Sequence, residues 1–268
     1  MADSSRVQPE VVQGIHALDA GHGRLFVVVG VFDGLHLGHS YLLRNLRDGA
    51  RERDARPTVI TFDHHPDEIL KGAAPPLLCD PDERLRLLAE EGVELTVVET
   101  FDRALQQTPY DAFVERIAGR VDLAGFLMTP DAAFGHERGG TPSAVAELGR
   151  TMGFDVMVIP PMGLAGRAVR SSEIRSAIRD GDLSAASTLL GRPYSIRGSV
   201  TADEVGRPVL RFPMPVALPP AGVYRVRVGE GSAAEPATVT VRADGWVELE
   251  RSAGDSRQDE RVQVSFEV

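Results

Sequence analysis

Five apolar runs of strand length, none alternating with polar residues, constrain this chain most. They are Leu25-Phe26-Val27-Val28-Val29, Thr58-Val59-Ile60-Thr61-Phe62, Leu95-Thr96-Val97-Val98, Gly125-Phe126-Leu127-Met128 and Val156-Met157-Val158-Ile159. A strand that is apolar on both faces is buried on both faces, which is the condition of a parallel sheet covered by helices. Between the runs, Leu42, Leu43, Leu46 and Ala50, then Leu85, Leu88 and Ala89, then Phe113, Ile117 and Ala118 recur at helical spacing. Helices with one apolar stripe pack that stripe on a sheet. The β-α alternation therefore predicts a doubly wound α/β domain over residues 1–190.

After Pro193 the period changes. Tyr224, Val226 and Val228 alternate with Val223, Arg225 and Arg227, and Val262, Val264, Phe266 and Val268 alternate with Arg261, Gln263, Ser265 and Glu267. That is the pattern of half-buried antiparallel strands, with turns expected at Glu230-Gly231-Ser232 and Asp244-Gly245. A small β domain is expected over 191–268, with Ser252–Asp259 as a polar hairpin loop.

Composition removes several function classes. The net charge of -10 opposes binding to nucleic acid or to anionic membranes. No apolar run approaches the roughly 20 residues of a membrane helix, and Asp3, Glu10 and Asp19 interrupt the region where a secretory signal would lie. A single cysteine, Cys79, makes neither an internal disulfide nor a cysteine-based zinc site, which fits a cytoplasmic location. Lys71 is the only lysine and follows Ile69-Leu70, so a P-loop is excluded.

The segment richest in chemistry is Gly30-Val31-Phe32-Asp33-Gly34-Leu35-His36-Leu37-Gly38-His39, which leaves the first buried run and enters a helix expected to begin near His39. A glycine turn at the carboxyl end of such a strand is where phosphates bind, because Gly34 and Gly38 allow close backbone approach and a helix start offers free amides. His36 and His39 could then donate to phosphate oxygens as charge grows. Two exposed loop histidines, or two metal ligands, are the other readings of this spacing.

His36-Leu37-Gly38-His39 resembles the HxGH signature of the nucleotidylyltransferase superfamily. With Phe32-Asp33-Gly34 in front, it resembles the N-terminal module of bacterial bifunctional riboflavin kinase/FAD synthetases. Thr61-Phe62-Asp63-His64-His65-Pro66 is similar to that family's TFxPHP, and Asp131-Ala132-Ala133-Phe134-Gly135, with Arg138 and Gly139, to its (N/D)FxFG motif. Ser171-Ser172-Glu173-Ile174-Arg175 is similar to SSTxIR, and Leu189–Tyr194 to the junction into the kinase module.

The resemblance implies a Rossmann-like nucleotidylyltransferase fold followed by a β-barrel. It implies transfer of AMP from ATP, carried with Mg²⁺, to FMN, with ATP and FMN as the small-molecule partners. His36, His39 and Arg175 would be catalytic. Gly30, Phe32, Asp33, Gly34, Gly38, Asp131, Ser171 and Ser172 would bind nucleotide, and Phe62, His65, Pro66 and Phe134 would bind flavin. No residue is assigned as a metal ligand: His64-His65 lacks a supporting carboxylate or cysteine constellation.

Physically, Ser172 can cap the helix that follows, Arg175 in its first turn can present a planar fork to phosphate, and Phe62 is either a flavin wall or the last core residue of its strand. The sequence departs from the family at His64 (proline), Ala132 (aromatic) and Glu173 (threonine). Another phosphorylated acceptor, CTP in place of ATP, or a non-catalytic flavin- or nucleotide-binding module are the competing expectations. The kinase motif GxPTAN is also altered: Gly206–Val216 ends in Phe212-Pro213-Met214-Pro215-Val216, which predicts a barrel without riboflavin kinase activity.

Overall fold

The computed structural model describes residues 9–164, 167–250 and 260–268, so the loop expected at Ser252–Asp259 falls outside the described residues. The chain forms two compact units. The first comprises described residues up to Pro75 together with Leu85–Ala168. Its main sheet has six strands, β1 (Glu10–Gln13), β2 (Arg24–Val29), β3 (Arg56–Phe62), β4 (Leu95–Glu99), β5 (Asp122–Met128) and β6 (Asp155–Val158), and a separate two-stranded pair is formed by β7 (Gly163–Leu164) and β8 (Arg167–Ala168). Its helices are α1 (Leu37–Glu52), α2 (Asp67–Lys71), most of α3 (Pro81–Glu90), α4 (Arg103–Gln106), α5 (Tyr110–Ala118) and α6 (Pro142–Met152).

The six strands are all parallel, in the order β1-β4-β3-β2-β5-β6. The five apolar runs are five of these strands, and Leu25, Phe26 and Val27 of the central β2 are fully buried. One core cluster on the sheet gathers Phe26, Leu43, Leu46 and Leu88, and another gathers Leu25, Val27, Phe113, Ile117 and Phe126. Helices thus cover both faces, as strands without period-two alternation require. From β2 the connections run one way to β3 and β4 and the other way to β5 and β6, so the loop after β2 emerges at the topological switch point. In open α/β sheets this is where ligands bind.

The second unit comprises Pro76–Arg84 and Val169–Val268. It contains α7 (Ser171–Arg179), α8 (Leu183–Leu190) and the strands β9 (Ser195–Ala202), β10 (Pro208–Arg211), β11 (Gly222–Val228), β12 (Glu235–Val241), β13 (Val247–Glu250) and β14 (Arg261–Phe266). The six strands close into an antiparallel barrel, β10-β13-β12-β11-β14-β9, which leaves no sheet edge. Val226, Val228, Val262, Val264 and Phe266 point inward, as the alternation predicts.

The compact units divide the chain differently from segments 1–190 and 191–268. Ile174, Ile178, Leu183, Ala186 and Leu190 of the two helices share one core cluster with the barrel, as does Leu78. An amphipathic helix shows from sequence that it needs a partner, but not which one.

Candidate active site

The turn after β2 is built by burial. Gly30 donates to the Ile60 carbonyl at 3.0 Å, and the Thr61 hydroxyl donates to the Val31 carbonyl at 3.1 Å, so the turn is tied to the end of β3. Phe32 folds back into the core with a positive φ of 55°. A Cβ on Gly30 would meet the Phe32 ring at 2.9 Å, which explains the glycine there. Leu35, at φ 36°, is the second strained residue, and Asp33 and Gly34 are buried between them. Side chains that prefer negative φ are held in this shape by the surrounding structure, a common feature of binding turns.

Helix α1 begins at Leu37, two residues before the expected start. His36 is its N-cap: the His36 ring Nδ1 accepts from the His39 amide at 3.2 Å. An imidazole that accepts through Nδ1 carries its hydrogen on Nε2, so the neutral tautomer of His36 is set. His36 is buried rather than exposed on a loop.

His39 stacks on His36 with ring centroids 3.7 Å apart and planes 15° apart, and tilts against Phe32 at 5.1 Å. Burial, and then the neighbouring His36, hold the His39 imidazole well below the ordinary histidine range. It is therefore neutral at pH 7. Its Nδ1 is buried with no hydrogen-bond partner, and an unsatisfied buried polar atom costs about 1–3 kcal/mol.

Beside this turn lies a cavity of about 650 Å³. Its floor is the carboxyl ends of β2, β3 and β5, through Val29, Gly30, Phe62 and Met128 among others. All four residues assigned to flavin, Phe62, His65, Pro66 and Phe134, line it. Phe62 is therefore both core and wall. It meets Phe101 edge-on at 5.3 Å, while Phe134 packs at 5.4 Å from Phe113 and 5.6 Å from Phe126. The His65 ring Nδ1 accepts the Asp67 amide at 3.1 Å, which places the hydrogen of the neutral ring on Nε2.

The family departure at His64 has a local structural role. Burial opposes ionisation of Asp63, but donors from Phe101, His64 and Thr100 outweigh it and hold this carboxyl below the usual aspartate range. Asp63 Oδ1 accepts both the His64 amide at 2.8 Å and the Phe101 amide at 3.1 Å, so it fastens the Phe101 wall to the end of β3.

The opposite wall is the segment from Ala132 to Gly140. Phe134 and Gly140 exchange backbone hydrogen bonds, and the His136 amide donates to the Thr108 carbonyl at 2.8 Å. Glu137 and Arg138 both have positive φ. Asp131, assigned to nucleotide, is exposed: its carboxylate accepts from the Thr129 hydroxyl and its carbonyl from Arg138. The sequence reading missed Phe101, Phe113 and Phe126 as wall residues, since each is an ordinary core aromatic until the fold brings it to the cavity.

The remaining assigned residues belong to the second unit. Helix α7 starts at Ser171, with Arg170 at the N-cap position and no side-chain cap. Ser172 is thus the second residue of the helix and not its cap, and Arg175 opens the second turn rather than lying in the first. The buried Ile174 and Ile178 fix the helix by packing, so no serine cap is needed. Arg175 Nε donates to the Pro76 carbonyl at 2.8 Å.

Comparison with known proteins agrees with this architecture. The family model for FAD synthetase matches residues 19–173. The chain is 32% identical over 228 residues to the bifunctional riboflavin kinase/FMN adenylyltransferase of Escherichia coli strain K12, covering 82% of this chain and 73% of that protein. It is 30% identical over 276 residues to the protein of the same description from Pseudomonas fluorescens, covering 96% and 88%. A solved structure described as a macrolide-efflux protein from Streptococcus pneumoniae shares the fold, with a TM-score of 0.78, 24% identity, and coverage of 96% and 89%. The parallel sheet with its glycine turn and paired histidines belongs to the nucleotide-handling α/β class. Within that class, the chain belongs to the FAD synthetase family.

Proposed function

We propose that the protein is an FMN adenylyltransferase, joining the AMP of ATP to FMN and releasing pyrophosphate. The observation that carries this reading is the aromatic-walled cavity at the switch point, beside a helix start that holds two stacked histidines. A planar, mostly apolar ring system suits the cavity.

In the reaction, an FMN phosphate oxygen attacks the α-phosphorus in line. The new P–O bond forms as the bond to pyrophosphate breaks. The phosphate monoester is already anionic at neutral pH, so the step needs no general base. The Nε2–H of neutral His36, His39, and the first amides of α1 would stabilise charge on the phosphoryl oxygens.

Gly30, Phe32, Asp33, Gly34 and Gly38 would shape the nucleotide turn, with the Phe32 and Asp33 side chains supporting it from within. Asp131, Ser171 and Ser172 keep their assignment to nucleotide from the resemblance, and Arg175 its assignment to phosphate. Among the described residues no group of three or more His, Cys, Asp or Glu could hold a metal ion. A divalent cation, Mg²⁺ in this reading, would accompany ATP, because a hard cation bound by phosphates needs few protein ligands.

Incubation with each nucleoside triphosphate plus FMN, followed by mass identification of products, tests the reading. FAD from ATP alone is expected; a CTP product or no product would overturn it.

Two further outcomes are expected. Arg175→Lys keeps the charge but loses the planar fork, and should slow FAD synthesis and its reversal by pyrophosphate alike. Wild-type rates in that variant would remove Arg175 from the phosphate machinery.

The barrel is proposed to lack riboflavin kinase activity. Met214 and Val216 stand where the kinase motif has threonine and asparagine, and neither offers oxygen to a cation. With riboflavin and ATP no FMN should form, and steady enzyme-dependent FMN formation would refute this.

A further inference from the structure

The segment standing in place of the kinase motif is not bare backbone. The chain between α2 and α3 enters the second unit at Pro76 and runs beside it as a strap. Leu77 pairs with Val216 in a parallel bridge: the Leu77 amide donates to the Pro215 carbonyl and the Ala217 amide donates to the Leu77 carbonyl, both at 2.8 Å. The strap is then fixed at three further points. Leu78 is buried in the cluster that includes Ile174 and Ile178 of α7. Asp80, buried, accepts from Arg261 of β14 at 2.8 Å, and the Ser195 hydroxyl of β9 lies 3.5 Å from Glu83. Tyr194, fully buried, donates its hydroxyl to the Ala217 carbonyl, which holds the segment from its other side.

Pro76, directly before the buried Leu77, is exposed, and its carbonyl accepts Arg175 Nε at 2.8 Å. The guanidinium is planar, so a hydrogen bond through Nε orients the whole fork. We propose that the degenerate kinase segment acts in adenylyl transfer as a positioning element: by seating Leu77 it fixes the Pro76 carbonyl, and that carbonyl aims Arg175. This assigns Pro76 and Ala217 as positioning residues and gives the barrel a task in FAD synthesis that requires no kinase chemistry. It rests on the assignment of Arg175 to phosphate made above.

The proposal is tested on the full chain with Pro76→Gly, which frees the exposed strap while keeping its carbonyl, and with Ala217→Pro, which deletes the donor to Leu77. Each is measured alone and combined with Arg175→Ala, as kcat and KM for ATP in FAD formation. Each strap variant alone should raise KM for ATP about tenfold, the scale of one charge-assisted hydrogen bond, with a smaller change in kcat. In the Arg175→Ala background the same changes should add less than about twofold, since residues acting through one contact are not additive.

Losses that multiply equally in both backgrounds would show a general structural role and overturn the proposal. So would wild-type KM in folded Pro76→Gly, which needs no outcome from the more disruptive Ala217→Pro. If Arg175→Ala itself retains full activity, the phosphate assignment fails and this inference with it. A loss in Arg175→Ala with none in the strap variants overturns the positioning role alone.

Discussion

His39→Ala is expected to lower the rate of FAD formation about 10²–10³-fold, the usual cost of removing one preorganised donor to a transition-state oxyanion. The fold should survive, because the ring is half-buried and its Nδ1 contributes no hydrogen bond to the structure. His36 behaves differently. It is buried and caps α1, so His36→Ala should lose both rate and about 1 kcal/mol of stability. His36→Asn should recover the stability, since asparagine is a strong N-cap, without recovering the rate.

The pH profile gives a separate check. His39 has its pKa lowered, so the unfolded chain takes up its proton first as pH falls below the ordinary histidine value. The associated stability is complete above about pH 6.5 and declines as the pH falls toward the folded-state pKa. Denaturation midpoints measured between pH 8 and 5 should show a smaller acid loss in His39→Gln than in wild type. Near-normal turnover in both His39→Ala and His36→Asn would detach this turn from the chemistry.

How far the sequence could be read follows from what each segment's neighbours are. Five of the six parallel strands are legible from their apolar runs; β2 to β5 are mostly buried, as such runs require, whereas β6 lies at the sheet edge with Val158 47% exposed. The sixth, β1, is not: Glu10-Val11-Val12-Gln13 holds only two apolar residues and pairs along one side with β4. The alternation in β11 and β14 announces a half-buried sheet, but closure depends on β9 pairing with both β10 and β14, which no local pattern carries.

The site divides in the same way. The histidine turn is contiguous in sequence and legible there. The cavity gathers Phe62, Phe101, Phe113, Phe126 and Phe134 from five separate segments, and only the first and last stand within recognisable motifs. At His64 the departure from the family pattern is legible in sequence but its structural role is not: the His64 amide donates to Asp63, whose carboxylate also accepts the Phe101 amide and so holds two loops of the cavity together.

Gly135→Val should abolish productive flavin binding while leaving ATP binding nearly unchanged. Gly135 has φ 75° and ψ 174°, a region almost confined to glycine. A Cβ there would lie 2.6 Å from both Cα and N of Tyr110, at the start of α5, where backbone cannot step aside as a flexible side chain could. Strain and clash together come to several kcal/mol.

The sheet beneath does not depend on this loop. The segment bearing Gly135 would therefore leave Tyr110 before the domain unfolds. Its departure breaks the Phe134–Gly140 hydrogen bonds and withdraws Phe134 from Phe113 and Phe126, removing one wall of the cavity. FMN affinity, followed by flavin fluorescence, should fall at least 100-fold, with ATP affinity by calorimetry within about threefold of wild type, since 1.4 kcal/mol is a factor of ten. Gly153→Ala serves as the control: Gly153 ends α6 in the left-handed region with nothing within 4 Å of a Cβ, so it meets strain without clash. Unchanged FMN binding in a folded Gly135→Val protein would place the acceptor outside this cavity.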